Sequence, residues 1–289
     1  MKISTEINSF RKLGDNKKVI KLLKDSGFDA YDFTMFFGGL ADEWLQSDDY
    51  LREAKEFRAY ADAIGIECNQ AHAPYPTAID EEHTRMGMNA AEYNPFAYEK
   101  ICRAIEVAGV LGAKIIVVHP WNCYTKEQNA KLYLSFESVA RKAGIKIGVE
   151  NMWNWANGQA TTAACSHHDD FKAHLDLLPS DVFVACVDIG HAQMQGLNTS
   201  AAEMLETLDK RVEAVHLHDN NCINDNHALP FSMKIDFEPI IAALKKIEYK
   251  GDITLECPFC IQNNPVELLP VMAQHMAKVA DYFRKRLQK

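Results

Sequence analysis

Ile145-Lys146-Ile147-Gly148-Val149-Glu150-Asn151 reads as a buried strand that ends abruptly in a carboxylate. An ionised carboxyl group at the end of an apolar strand is costly unless it is paired or bound to a cation, so Glu150 needs a partner. Three later stretches end in the same way: Val187-Asp188-Ile189-Gly190-His191, Val215-His216-Leu217-His218-Asp219 and Thr254-Leu255-Glu256. One site fed by four strand ends is the simplest account.

Outward from this stretch the pattern repeats. Strand-like segments at residues 2–7, 28–34, 66–72 and 113–119 precede it, and others at 182–188, 212–218 and 252–256 follow. Helical stretches at 15–27, 48–64, 94–112, 125–144, 200–208, 237–247 and 266–287 lie between and after them. Gly27, Gly65 and Gly144 supply helix stops, Thr125-Lys126-Glu127-Gln128 has the form of a capping box, and Asn94-Pro95 reads as a cap followed by proline at the first helical position. The connection from residue 72 to 94 is long, mixes Pro74, Pro76, Met86, Met88 and Tyr93, and is expected to fold over as a lid.

Strands with near-continuous Val/Ile content and no hairpin signal indicate a parallel sheet covered by helices. Eight of them fit a closed (β/α)8 TIM barrel. The competing doubly wound sheet lacks support, because no G-x-G-x-x-G follows the first strand and no Walker-type loop occurs; no nucleotide cofactor is expected. No Pro/Ser-rich linker or shift in composition divides the chain, so residues 1–289 are read as one domain.

Hydrophobic residues make up 47% of the chain and charged residues 25%, which supports a sizeable core and argues against disorder. A formal charge of −9 disfavours nucleic acid, whose phosphates demand clustered Lys and Arg, and gives no support to an anionic membrane surface. No apolar run approaches the roughly 18 residues of a membrane span, and the opening Met1-Lys2-Ile3-Ser4-Thr5-Glu6 does not resemble a signal peptide. A cytoplasmic location is therefore expected. The eight cysteines are scattered as in a reduced protein. Cys257-Pro258-Phe259-Cys260 directly follows a strand ending in Glu256, a setting unlike that of a redox C-x-x-C.

In a barrel of this kind the active site lies at the C-terminal ends of the strands. His72, His119, Glu150, Asp188, His191, His216, His218 and Glu256 all sit at or just beyond such ends. A single buried histidine is usually a hydrogen-bonded structural residue, but the gathering of so many is the signal. The same strand ends carry no Lys or Arg to neutralise the acids, which makes a divalent cation the economical partner. Two Glu, one Asp and one His suit Mn²⁺, Mg²⁺, Co²⁺ or Zn²⁺. His216 and His218 face the same side of one strand and compete for the ligand role. Asp225-Asn226-His227 offers two further ligands or a polar turn.

Taken together, His72, His119, Gly148-Val149-Glu150-Asn151, Val187-Asp188-Ile189-Gly190-His191, His216-Leu217-His218-Asp219, Asp225-x-His227 and Leu255-Glu256-x-Pro258 resemble the xylose-isomerase-like barrel superfamily. That group contains sugar-phosphate isomerases and epimerases, ketose 3-epimerases, inosose dehydratases and endonuclease IV. The resemblance implies one divalent metal ion held by Glu150, Asp188, His216 and Glu256, with His216 preferred over His218 because the family's ligand begins a His-Leu-x-acid run. It makes His191 a substrate contact, or a ligand of the larger metal cluster of endonuclease IV, to which His72, His119, Asp225 and His227 also correspond. Two stretches depart from the epimerases: Asn220-Asn221-Cys222 stands where they carry an Arg, and Leu229-Pro230-Phe231-Ser232-Met233-Lys234 replaces their Pro-Gly-x-Gly turn.

The resulting expectation is a sugar isomerase or epimerase working through an enediolate, with Glu150 and Glu256 as the acid/base pair on opposite sides of the substrate. The expected partner is a small carbohydrate or polyol, bound by His191, His72, His119 and His218, with Trp121, Trp153, Trp155 and Phe259 near apolar sugar faces. No nucleic-acid or membrane partner is expected, and a homo-oligomer is compatible with the sequence. A lyase or dehydratase sharing the first proton abstraction, a multi-metal phosphoesterase like endonuclease IV and a non-catalytic sugar-binding barrel are the alternatives.

Overall fold

The computed structural model describes residues 1–36, 41–74, 95–122 and 124–288, apart from the side chains of residues 42–43 and 95–97. Eight parallel strands form the inner sheet: β1 (Ile3–Thr5), β2 (Ala30–Thr34), β3 (Glu67–His72), β4 (Ile115–Val118), β5 (Lys146–Glu150), β8 (Phe183–Asp188), β9 (Val212–Leu217) and β10 (Ile253–Leu255). Their order is β1-β10-β9-β8-β5-β4-β3-β2. The two ends of that order meet: Glu6 bridges Asp32, the Ile7 amide donates to the Asp32 carbonyl at 3.1 Å, and the Asp29 amide donates to the Ile3 carbonyl at 3.1 Å. The sheet thus curls into the expected (β/α)8 barrel.

The helices form where period and caps agree. Helix α1 (Asn16–Ser26) starts at Asp15, whose carboxylate accepts from the Lys17 amide, and stops at Gly27, where φ is 101°. The capping box of Thr125 and Gln128 opens the helix Lys126–Ala143. Each helix lays its apolar face on the sheet, where Phe57, Phe136, Phe171 and Phe283 are buried. The lid expected between residues 72 and 94 lies, beyond Pro74, outside the described residues, as does the cap expected of Asn94.

Two features differ from expectation. A helix at His168–Leu175, which the sequence reading did not delimit, follows the strand that ends in Glu150. An antiparallel hairpin, β6 (Asn154–Ala156) with β7 (Gln159–Thr161), also interrupts the supposedly hairpin-free pattern. Asn157 and Gly158 turn it at φ 53° and 77°. Asn-Gly is the residue pair that a two-residue hairpin turn favours, because both positions need positive φ.

Inside the barrel, Ile115, Val117, Val184, Cys186 and Ala214 form a small apolar layer. Gly148, two residues before Glu150 and on the same face, leaves this layer its room: a Cβ there would lie 3.1 Å from Ile115 and 3.3 Å from Cys186. Above it the interior turns polar.

Candidate metal centre and active site

Register builds the site. Asp188 pairs with His216, and His216 with Thr254, two residues before Glu256 and on the same face, so Glu256 stands one step above His216 and Asp188 at the rim. Glu150 arrives on β5, whose last residue pairs with Cys186. Ligand-capable atoms of Glu150, Asp188, His216 and Glu256 all lie within 4.8 Å of one another. His216 Nδ1 is at the middle, 3.1 Å from Glu150 Oε1, 3.0 Å from Glu256 Oε2 and 3.9 Å from Asp188 Oδ2.

Three buried carboxylates around one imidazole fit a divalent cation. Among the described residues Asp188 Oδ2 is buried without a hydrogen-bond partner, which leaves lone pairs that a cation would satisfy. Burial pushes the Glu150 carboxyl up, but the attraction of His216 and His119 outweighs it and holds the group well below the ordinary range. The same contest, with His216 and His227 as the attracting groups, lowers Glu256. Burial also lowers His216, and Cys186, Glu256 and Glu150 more than reverse that, raising it well above an ordinary histidine.

Two further groups flank this cluster. His72 and His119 face each other at 3.1 Å, and their Nε2 atoms lie 3.4 and 3.0 Å from Glu150 Oε2. On the other side, Asp225 Oδ2 sits 3.2 Å from His191 Nε2 and 2.9 Å from His227 Nε2. His218 stacks on His227 with ring centres 4.0 Å apart, and its Nε2 bonds Asp188 Oδ1 at 2.9 Å. His216 and His218 therefore occupy different places: the first meets all three acids, whereas the second braces Asp188 and contacts the Asp225 group at 3.7 Å.

A cavity of about 650 Å³ opens over these residues. Its wall includes His72, His119, Glu150, His191, Asp225, His227 and Glu256, with Phe36, Trp153 and Trp155 as the aromatic part. Trp121, 7% exposed, and His218, 0% exposed, stand outside this lining, and Phe259 is exposed beyond it. Among the described residues the lining contains no Lys or Arg. Cys257 and Cys260 are free thiols, and burial pushes Cys257 well above its ordinary pKa, unlike a redox-active thiol.

Several residues that shape the site had no role in the sequence reading. Asn151 clamps the end of β8 through a reciprocal pair: its Oδ1 accepts from the Asp188 amide at 2.8 Å and its Nδ2 donates to the Asp188 carbonyl at 2.9 Å. Its own carbonyl fixes His191 through Nδ1 at 2.8 Å. Asp219 is fully buried and gathers the amides of Asn220, Met233 and Ile235, so it shapes the loop that carries Asp225 and His227. Gln70 and Asp32 lie behind His216. Period-two alternation with His72 placed Gln70 on the inner face, and that was the available signal.

Comparison with known proteins agrees with this architecture. The family described as xylose isomerase-like TIM barrel matches residues 20–281. An uncharacterised protein of Methanocaldococcus jannaschii, MJ1311, is 31% identical over 198 residues, 64% of this chain and 62% of that protein. This chain thus spans less than two thirds of that relative's length. A D-psicose 3-epimerase solved in the presence of D-fructose superposes with a TM-score of 0.76 over 100% of both chains at 13% identity. The IOLI protein with a bound zinc atom superposes with a TM-score of 0.69 at 18% identity, over 100% of this chain and 98% of that one. At such identities the structural likeness is one of fold. The family match covers nearly the whole chain, and the protein belongs to the xylose isomerase-like TIM barrel family.

Proposed function

We propose that the protein is a divalent-metal-dependent isomerase or epimerase of a small sugar or related polyol. The observation that carries the reading is the placement of Glu150 and Glu256. They stand on separate strands, both against His216 Nδ1 at 3.1 and 3.0 Å, and both line one cavity of about 650 Å³. Moving a proton between two faces of a carbon needs two such groups.

Glu150, Asp188, His216 and Glu256 would hold the cation, which when bound supplies Lewis-acid polarisation of a carbonyl. The chain's own residues do the rest. Of Glu150 and Glu256, both held ionised at rest by neighbouring histidines, one takes the proton beside the carbonyl while the other, having first picked up a proton from solvent, delivers it to the opposite face. His191, anchored through Nδ1 on the Asn151 carbonyl and paired through Nε2 with Asp225, lines the cavity together with Asp225, and the pair orients a substrate hydroxyl. Trp153, 6.4 Å from His191 between ring centres, supplies a flat apolar wall for a sugar ring.

The test is solvent exchange. Metal-loaded protein incubated in D₂O with ketoses, inososes and 3-keto-glycosides is expected to place deuterium beside the carbonyl of one of them. Glu150→Gln and Glu256→Gln should each abolish this. Loss of water or of an aglycone would assign a lyase that shares the proton abstraction. The His191–Asp225–His227 group beside the main cluster favours one second reading, a multi-metal phosphoesterase. Two to three metal equivalents with phosphodiester cleavage and no exchange would replace the first proposal by that one.

A further inference from the structure

At the other end of the barrel, around the N-terminal ends of the strands, lies a second cavity of about 240 Å³. Two bulges shape its wall. Tyr31 pairs with Cys68 and Asp32 with Gln70, so Asn69 is an extra residue on β3. Ala185 pairs with Val212 and Cys186 with Ala214, so Glu213 is an extra residue on β9. Strict alternation would send Asn69 and Gln70 to opposite faces, but a bulge re-aims side chains. Both reach inward, Asn69 Nδ2 to 3.5 Å from Thr254 Oγ1 on β10 and Gln70 to 2.8 Å from His216. Ile115 and Ala214, from the small apolar layer, line the cavity beside them.

Most of the charges at this mouth are already engaged. Lys210 is held by Glu248 at 2.9 Å and by the Ile247 carbonyl at 2.7 Å, Glu213 is held by Lys146 at 2.6 Å, and Asp252 Oδ1 accepts from the Lys2 amide at 2.7 Å. Lys114 and Lys250 also line the cavity, and they form no ion pair or hydrogen bond among the described residues. Asp209 is the one lining acid in the same position, so two free cations face one free anion. Further in, Asn69 is 7% exposed and its Oδ1 has no hydrogen-bond partner among the described residues. Packing alone would fill the foot of a barrel with close-fitting side chains. It accounts neither for the space nor for a buried acceptor left unmatched beside two free ammonium groups.

We propose that this cavity is a binding site for a small hydroxylated anion, a phosphate monoester or a hydroxy acid. Lys114 and Lys250 meet the anionic group as point charges, and Asn69 Oδ1 accepts from a ligand hydroxyl. Pockets that bury drug-sized ligands run to roughly 300–1,000 Å³, so the smaller volume here suits a molecule of a few carbon atoms. The site is separate from the sugar cavity at the opposite rim and does not depend on what reacts there.

The experiment titrates the chelator-treated chain calorimetrically with glycerol 3-phosphate, glycerate, inorganic phosphate and glycerol, and maps backbone amide shifts with the tighter of the two hydroxylated anions. At least one of them is expected to bind one to one with a dissociation constant below about 1 mM, and glycerol not to bind; the tighter of the two identifies the anionic group. Shifts should gather at residues 69, 114, 213 and 250, a readout that needs no variant to fold. Lys114→Gln and Lys250→Gln, both exposed side chains, are each expected to weaken binding about tenfold, the order of one charge-assisted hydrogen bond. Asn69→Ala should remove the advantage of glycerol 3-phosphate over inorganic phosphate, and Glu256→Gln should leave binding within twofold. No binding of either hydroxylated anion, equal binding of glycerol, or affinity unmoved by both lysine substitutions overturns the proposal. Shifts gathered at Glu150, Asp188 and Glu256 instead would place the anion in the other cavity and overturn it as well.

Discussion

A Cβ placed on Gly190 would fall 1.9 Å from Cε1 of His218. The His218 ring lies directly on the Gly190 backbone, and only from there does its Nε2 reach Asp188 Oδ1 at 2.9 Å. The ring's other face stacks on His227. It has nowhere to retreat. Gly190→Ala is therefore expected to destabilise the fold by about 1–3 kcal/mol, the usual cost of overpacking, and to weaken metal binding by displacing Asp188. Thermal unfolding with and without Zn²⁺ checks both. An alanine variant with unchanged midpoint and affinity would show that the contact yields cheaply.

Metal should act on stability as well as on chemistry. Glu150, Asp188 and Glu256 are at least 91% buried around one imidazole, and Asp188 Oδ2 lacks a hydrogen-bond partner among the described residues. A cation that binds only the folded chain stabilises it by about 2.7 kcal/mol at a hundredfold excess over its dissociation constant. Chelator-treated protein is expected to unfold several degrees below protein saturated with Mn²⁺ or Zn²⁺, with a smaller difference in Glu256→Gln. Equal midpoints in chelator and in metal would count against a metal at this cluster.

A pH dependence comes from the end of β1, beside the strand that leads to Glu256. Burial, the largest cause, pushes the Glu6 carboxyl from an ordinary 4.5 up to about 7, although Ser9 donates to it from both amide and hydroxyl. Between pH 4.5 and 7 the folded protein holds a proton that the unfolded chain has released. Stability from this group is therefore full below pH 4.5, falls as pH rises and is lost above about 7. At about 1.4 kcal/mol per pKa unit the change is roughly 3 kcal/mol. Glu6→Gln keeps an acceptor for Ser9 and removes the titration. In chelator-treated samples its stability is expected to change less between pH 5 and pH 8 than that of wild type. Parallel curves for the two proteins would refute this.

Much of the architecture was legible because it depends on local pattern. Short apolar runs separated by capped helices give a parallel barrel, and a carboxylate or histidine closing such a run falls on its C-terminal rim. Glu150, Asp188, His216 and Glu256 were found in that way, and the structure brings them within 4.8 Å. The choice between His216 and His218 was not open to periodicity, since both face one side of β9. The two are set apart by partners on other strands, the three acids for His216 and Asp188 with His227 for His218. Alternation put Gln70 on the inner face, but the roles of Gln70 and Asp32 were hidden for the same reason, because they lie in contacts across 146 and 38 residues of sequence. The hairpin at Asn157-Gly158 did carry its signal. Strands of only three residues on either side gave too little alternation to draw attention to it.

That hairpin leads to a prediction about substrate. It continues directly from Trp153, which lines the cavity beside His191, and it carries Trp155, 47% exposed, at the rim. A ring stacked on Trp153 would be held by its apolar face, a contact of about 0.5–1.5 kcal/mol beyond the area buried. Trp153 reaches none of the four acid and histidine side chains by a hydrogen bond. Trp153→Ala is therefore expected to raise KM about tenfold while leaving the Zn²⁺ dissociation constant within twofold, at about 1.4 kcal/mol per factor of ten. Trp155→Ala, further from the acids and more exposed, should raise KM less. Steady-state kinetics on whichever substrate exchanges deuterium, paired with chelator competition, separates the two quantities. If Trp153→Ala lowers metal affinity as much as it raises KM, the indole supports the metal site and is not a wall for the sugar.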